Sequence, residues 1–136
     1  MAKRKKQTLF KAKKKEAIAK ASITPGKGIV RVNMRNLDIM EPAIIQELIR
    51  EPLILAGDAA HNVNISVHVH GSGAMSQALA TRASIAKALV EHTGDDKLRA
   101  KYVEYDRMLL VDDPRRTEPK KPLGPKARKK KQHSKR

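Results

Sequence analysis

His68 and His70 stand two residues apart, the spacing at which two imidazoles on one face of a strand can share a metal ion. The chain has no cysteine and no acid interleaved with this pair, so polar residues on an accessible sheet face is the preferred reading. Asp112-Asp113 is a second candidate pair of ligands. Arg115 and Arg116 lie so close that a local ion pair is the better use of those carboxylates. Gly71-Ser72-Gly73 follows a strand pattern and precedes a helix pattern, a context in which phosphates are sometimes held. It lacks the Gly-Lys-Ser/Thr of a phosphate loop, and Ser76 stands where a dinucleotide fingerprint needs its third glycine. A tight turn letting helix and sheet pack closely is the stronger reading, with an RNA backbone phosphate at the helix N-terminus as a further option. No Ser-His-Asp or Glu-His constellation stands at a recognisable motif, and the acids are scattered over helix surfaces and caps. The expectation is a protein that is not an enzyme, with no cofactor and no metal.

The chemistry in which the chain is rich is phosphate neutralisation. Its 136 residues carry 30 Lys and Arg against 14 Asp and Glu, a formal net charge of +16. Lys3, Arg4, Lys5, Lys6, Lys11, Lys13, Lys14, Lys15 and Lys20 face only Glu16 in residues 1–20, a balance of +8. Residues 120–136 hold nine bases and no acid, whereas residues 21–119 balance at −1. Like charges in such blocks repel, so both ends are expected to be disordered in the free chain and to thread RNA. The other reading of such runs is a solvated face or a targeting signal. Neutralising about 7 phosphates with the C-terminal segment would give single-strand binding a log–log salt slope near −5. Aromatic residues make up only 2%, too few for a base-stacking platform, so recognition rests on phosphates and RNA shape. No apolar run approaches a membrane span, and Thr8-Leu9-Phe10 is too short for a signal-peptide core. Together with the lack of cysteine, this suits a soluble protein of a reducing cytoplasm.

Hydrophobic residues, 40% of the chain, provide for one modest core. Residues 17–24, the turn signal Pro25-Gly26-Lys27-Gly28 and residues 29–33 read as a β-hairpin, its loop either touching RNA through Lys27 or only turning the chain. Pro42 suits the first residue of a helix whose face holds Ile44, Ile45, Leu48 and Ile49. Pro52 is expected to interrupt it before a short turn ending near Gly57. Residues 62–70 are the clearest strand, with Val63, Ile65, Val67 and Val69 on one face and His68 and His70 on the other. An Ala-rich helix is predicted from about Met75 to His92 and stopped by Gly94. A second helix is capped by Asp95 or Asp96, and a last strand covers 108–111. The pattern is α/β, an α+β sandwich: one mixed sheet of about four strands with helices packed on it. A basic N-terminal extension (1–14), the globular domain (15–112) and an extended basic C-terminal tail (113–136) complete it.

The ordered motifs resemble one family. Thr24-Pro25-Gly26-Lys27-Gly28 comes first, followed by Gly71-x-Gly73-x-x-x-Gln77-Ala78 opening the long helix. Leu110-Val111-Asp112-Asp113-Pro114-Arg115-Arg116, Glu118-Pro119-Lys120-Lys121 and the terminal Gln132-His133-Ser134-Lys135-Arg136 complete the set. Over roughly residues 13–136 the chain resembles the universal ninth protein of the small ribosomal subunit in its archaeal and eukaryotic-like form. That resemblance implies a cytoplasmic constituent of the ribosome. Its partners would be small-subunit rRNA in the head, neighbouring ribosomal proteins there and peptidyl-site tRNA, with no membrane and no homo-oligomer. Expected on rRNA are Lys3, Arg4, Lys5, Lys6, Lys11, Lys13, Lys14, Lys15, Lys27, Gly71, Ser72, Gly73 and Gln77. Arg115, Arg116, Lys120, Lys121, Lys126, Arg128, Lys129, Lys130 and Lys131 of the tail join them. Ser134, Lys135 and Arg136 are expected at the tRNA. Ser72 stands where the family usually has a glycine, His133 where it has an aromatic residue, and Arg35-Asn36 where an Asn-Gly turn is common. A chromosomal protein that condenses DNA is the competing reading of composition alone, and an RNA-modifying enzyme with cationic clamps is a further one.

Overall fold

The computed structural model describes residues 8–134. Five strands form one mixed sheet: β1 (Leu9–Lys14), β2 (Ala17–Pro25), β3 (Val30–Val32), β4 (Arg35–Asn36) and β5 (Val63–His70), in the spatial order β1-β2-β5-β3-β4. Four helices, α1 (Ala43–Ala56), α2 (Asp58–His61), α3 (Ala74–Thr93) and α4 (Asp96–Tyr105), complete the α+β fold. The sheet has one strand more than expected: β4 and, from Leu9 onward in the basic N-terminal segment, β1 are added, while the strand predicted over 108–111 does not form. Ala12 of that strand is fully buried, paired with Ala19 of β2.

β5 is the organising strand. Its alternation is borne out: Val63, Ile65, Val67 and Val69 are buried, while His68 and His70 are exposed. It lies antiparallel to β2 and parallel to β3, so the expected hairpin is corrected: β2 and β3 never pair. The turn at 25–28 instead crosses the start of β5. Gly26 donates its N–H to the Asn62 carbonyl (2.9 Å), and Gly28 donates to that of Val63 (3.1 Å). The Asn64 carboxamide oxygen fills the gap between the strands, accepting from Lys27 N–H (2.9 Å) and Ile29 N–H (3.1 Å). Alternation tells a strand its face; it leaves the neighbour open.

β3 and β4 form a tight hairpin whose central residues, Asn33 (φ 48°) and Met34 (φ 68°), both lie in the left-handed region, as a type I′ turn requires. Asn33 suits it, and its carboxamide also exchanges bonds with Val69 N–H (2.9 Å) and C=O (3.0 Å) of β5. Met34 is 72% exposed and has no such compensation. Met34→Gly is therefore expected to stabilise the domain by about 1 kcal/mol, measurable as a higher urea midpoint at unchanged m.

α3 packs across β1, β2 and β5 and carries the core, with Ile85, Ala86, Ala88 and Leu89 fully buried. Small side chains at 78, 80, 86 and 88 let it lie close to the alanines of β2 (17, 19, 21), an arrangement that makes a modest apolar content sufficient. Gly94 ends the helix in the left-handed conformation, its N–H bonded to the Val90 carbonyl, as the sequence predicts. α1 packs on α3 and begins at Ala43 rather than Pro42. Pro52 does not interrupt it. The helix continues to Ala56, with Pro52 buried and its carbonyl taking a hydrogen bond from the Tyr102 hydroxyl of α4 (2.7 Å). Asp95 caps α4 through Lys97 N–H (2.9 Å), as expected. The strand predicted over 108–111 is a correction: Arg107–Leu109 form a 3₁₀ turn that buries Leu109 against α3. Its cap, Asp106, accepts from Met108 N–H. Burial alone would raise the Asp106 pKa, but that bond and the Arg82 guanidinium outweigh it and hold the carboxyl below its usual value.

Candidate nucleic-acid interface

The C-terminal segment leaves the 3₁₀ turn and is caught on the free edge of the sheet. Asp113 forms a parallel bridge with Lys14 of β1, and its carboxylate is almost wholly buried. Four donors converge on it. Arg115 supplies its backbone N–H (2.9 Å), Nε (3.0 Å) and Nη2 (2.6 Å), and the Lys14 ammonium forms a direct ion pair. These hydrogen bonds, Arg115 first and Lys14 next, hold the Asp113 carboxyl well below the usual carboxylate range. Around this anchor, Lys87 of α3 pairs with Asp112 (2.6 Å), and the Arg116 guanidinium donates to the Lys15 carbonyl in the β1–β2 turn. The segment also covers part of an edge strand that would otherwise present unpaired backbone groups.

Beyond Arg116 the described residues contain no helix or strand. The tail is not simply extended, however. Arg128 grips Glu118 with two bonds (2.9 and 2.7 Å), closing a loop in which the backbone at Lys129 comes against Gly124. Lys120, Lys121, Lys126, Lys129, Lys130 and Lys131 stay exposed. Lys11, Lys15 and Lys27 are exposed on the domain, and Lys13 is half-buried. Lys14 is turned to the anchor instead of to solvent, and Arg115 shares that pair, although its own side chain remains 77% exposed. Lys3, Arg4, Lys5, Lys6, Lys135 and Arg136 lie outside the described residues. Ser134 is exposed at the tail's described end.

The glycine turn divides into a structural and an open half. Gly71 has φ +86°, and a Cβ there would meet the Glu16 carbonyl oxygen at 2.4 Å, so the turn is pressed against the β1–β2 turn. Gln77 braces it by donating to the Gly71 carbonyl (3.1 Å). Ser72 takes up a left-handed conformation (φ 55°) in the position where a glycine was expected. Gly73 has nothing within 4 Å of its would-be Cβ and precedes the first turn of α3. Gly71→Ala is accordingly expected to cost about 2–3 kcal/mol, from a left-handed side chain and its clash with backbone. Gly73→Ala should shift stability by no more than about 0.5 kcal/mol. Chemical denaturation of the two variants separates these outcomes.

A family model described as ribosomal protein S9/S16 matches residues 12–136, the stretch that holds the glycine turn, the anchor at Asp113 and the tail. The chain belongs to the ribosomal protein S9/S16 family. It is 45% identical over 125 residues to the small ribosomal subunit protein uS9 of Methanococcus maripaludis strain C7, covering 89% of this chain and 93% of that one. The uS9 protein of the same species' S2 strain is equally similar over the same shares, and that of Methanococcus vannielii is 43% identical over 125 residues. The archaeal character read from the motifs agrees with these relatives.

Sequence reasoning found the Arg115 half of the anchor, because Asp113 and Arg115 are two residues apart. It missed the Lys14 half, 99 residues away. It also missed Arg82, 7% exposed beneath Tyr105 and paired with Glu51 (2.5 Å) and Asp106 (2.6 Å). No local pattern marks a lone arginine in an Ala-rich helix as buried. His68 and His70 lie on the open sheet face as expected, and among the described residues no third ligand comes near enough to form a metal cluster with them.

Proposed function

We propose that the chain is a constituent of the small ribosomal subunit. Its domain seats against rRNA in the head, and its C-terminal tail reaches the peptidyl-site tRNA. Membership in a family of ribosomal proteins gives the role its type, structural rather than catalytic. The observation that carries the finer reading is the anchor at Asp113. A near-neutral domain holds the root of a strongly basic peptide in a defined place and leaves the lysines beyond it to phosphates. Lys27, held out on a turn braced by Asn64, and the open end of α3 at Gly73 offer rRNA a cation and free backbone N–H groups on the domain itself.

The test is subunit reconstitution with full-length protein and with a chain ending at His133. Both should enter subunits stoichiometrically and withstand moderately high salt. Subunits with the shortened chain should bind peptidyl-site tRNA about tenfold more weakly, from lost charge-assisted contacts to phosphate. Equal tRNA affinity in the two preparations would remove the tail from the tRNA site. Absence of the full chain from subunits would remove the ribosomal assignment.

A further inference from the structure

The helices cover one face of the sheet, and the register places an unusual set of side chains on the other. Lys11, Lys20 and His68 stand side by side across β1, β2 and β5, and Lys13, Ile18 and His70 form the adjoining row. Arg31 of β3 extends the row of Ser22 and Ser66. Neighbouring strands are about 4.8 Å apart and alternate residues about 6.8 Å, so Lys11, Lys13, Lys20 and Arg31 form one cationic cluster with the two imidazoles beside it. Lys11, Lys20, Arg31, His68 and His70 are exposed, and no strand position on this face is acidic. Among the described residues, no ion pair engages the side chains of Lys11, Lys20 or Arg31.

We propose that this open face is a second seat for the rRNA sugar-phosphate backbone, separate from the tail and the glycine turn and resting on the ribosomal reading above. Uncompensated like charges on a rigid sheet repel one another, and a polyanion relieves that repulsion while releasing its own counterions. Phe10, the one Phe, Tyr or Trp in the strands, pairs with Ala21 on the helix side, so the imidazoles of His68 and His70 are the only rings the strands place on this face. Contacts therefore go mainly to phosphates, with the hydroxyls of Ser22 and Ser66 beside the cations as partners for ribose hydroxyls. A protein partner fits poorly. Such interfaces have an apolar, often aromatic centre, whereas the apolar residues here are Leu9 and Ile18, in different rows.

The full chain and the exposed double variant Lys20→Gln/Arg31→Gln are titrated against small-subunit rRNA between 50 and 200 mM salt. The variant should lose about two units of log–log salt slope and on the order of 10–100-fold in affinity at 0.1 M salt, while Lys20→Arg retains the slope. Lys20 should also become protected from acetylation in the wild-type complex. Failure of the wild-type chain to bind rRNA would sink the ribosomal reading itself. Wild-type binding with an unchanged slope in the double variant and a reactive Lys20 would overturn this inference alone. An unchanged slope on naked rRNA, with Lys20 protected only in assembled subunits, would assign the face to a protein and overturn it equally.

Discussion

Tyr102→Ala is expected to lower the stability of the domain by about 3–5 kcal/mol, more than any other single truncation considered. Tyr102 is fully buried, and its ring joins α4 to a core otherwise built of Leu, Ile, Val and Ala side chains. A cavity of that size in a close-packed core is refilled only in part by rearrangement, so its cost adds to the lost burial. The hydroxyl adds a specific bond to the Pro52 carbonyl, so Tyr102→Phe should cost about 1 kcal/mol by leaving that acceptor without it. Burial also pushes the phenol upward from its ordinary pKa. The folded state then keeps its proton where the unfolded chain gives it up. The associated stability is complete below about pH 10 and is lost as pH rises from there toward the folded value. Wild-type stability should fall more steeply above pH 10 than that of Tyr102→Phe, and parallel pH curves for the two would refute the linkage.

Neutralising Lys126, Lys129, Lys130 and Lys131 together to glutamine should reduce the salt slope for rRNA binding by about 3. The corresponding loss of affinity at 0.1 M salt is on the order of 10²–10³-fold. All four side chains are exposed and none takes part in an ion pair among the described residues, so each is available to a phosphate. Arg128 is left in place because Glu118 already holds it, and removing it would change the loop as well as the charge. Thermal unfolding of the variant should match the wild type, since these residues touch no core element. A variant that binds with the wild-type slope would move the RNA contacts off the tail.

Legibility in the sequence followed the range of each interaction. The Asp95 cap of α4, the α3 stop at Gly94 and the alternation of β5 depend on neighbours within a few residues, and these were readable. The pairing of β2 with β5 was not, because a strong turn signal at Pro25-Gly26-Lys27-Gly28 is equally compatible with a two-strand hairpin and with a loop that steps over a third strand. Pro52 misled for the opposite reason. Its local cost to a helix is real, but burying Pro52 and engaging its carbonyl with Tyr102, fifty residues on, outweigh it. At the candidate site, the composition of the tail announced phosphates, while the place where the tail is rooted required β1 to be seen as a strand. The cationic face needed the register as well: Lys20 and Arg31 come from different strands and look unremarkable until Ser22 and Ser66 line them up.

The ion pair at Asp113 turns the tail into a tether. From Thr117 to Ser134 the chain has eighteen residues. With the Glu118–Arg128 pair released, that length spans up to about 60 Å when drawn out, or roughly 23 Å root-mean-square as a flexible coil. With the domain seated and the root pinned, the tip samples a volume in which its effective concentration is on the order of millimolar. A contact too weak to hold a free peptide is then occupied much of the time, yet each single engagement breaks quickly. Weak, local and rapidly renewed gripping suits a ligand that must be held and then released in every cycle, and it is lost if the root is cut loose while the tip is left intact.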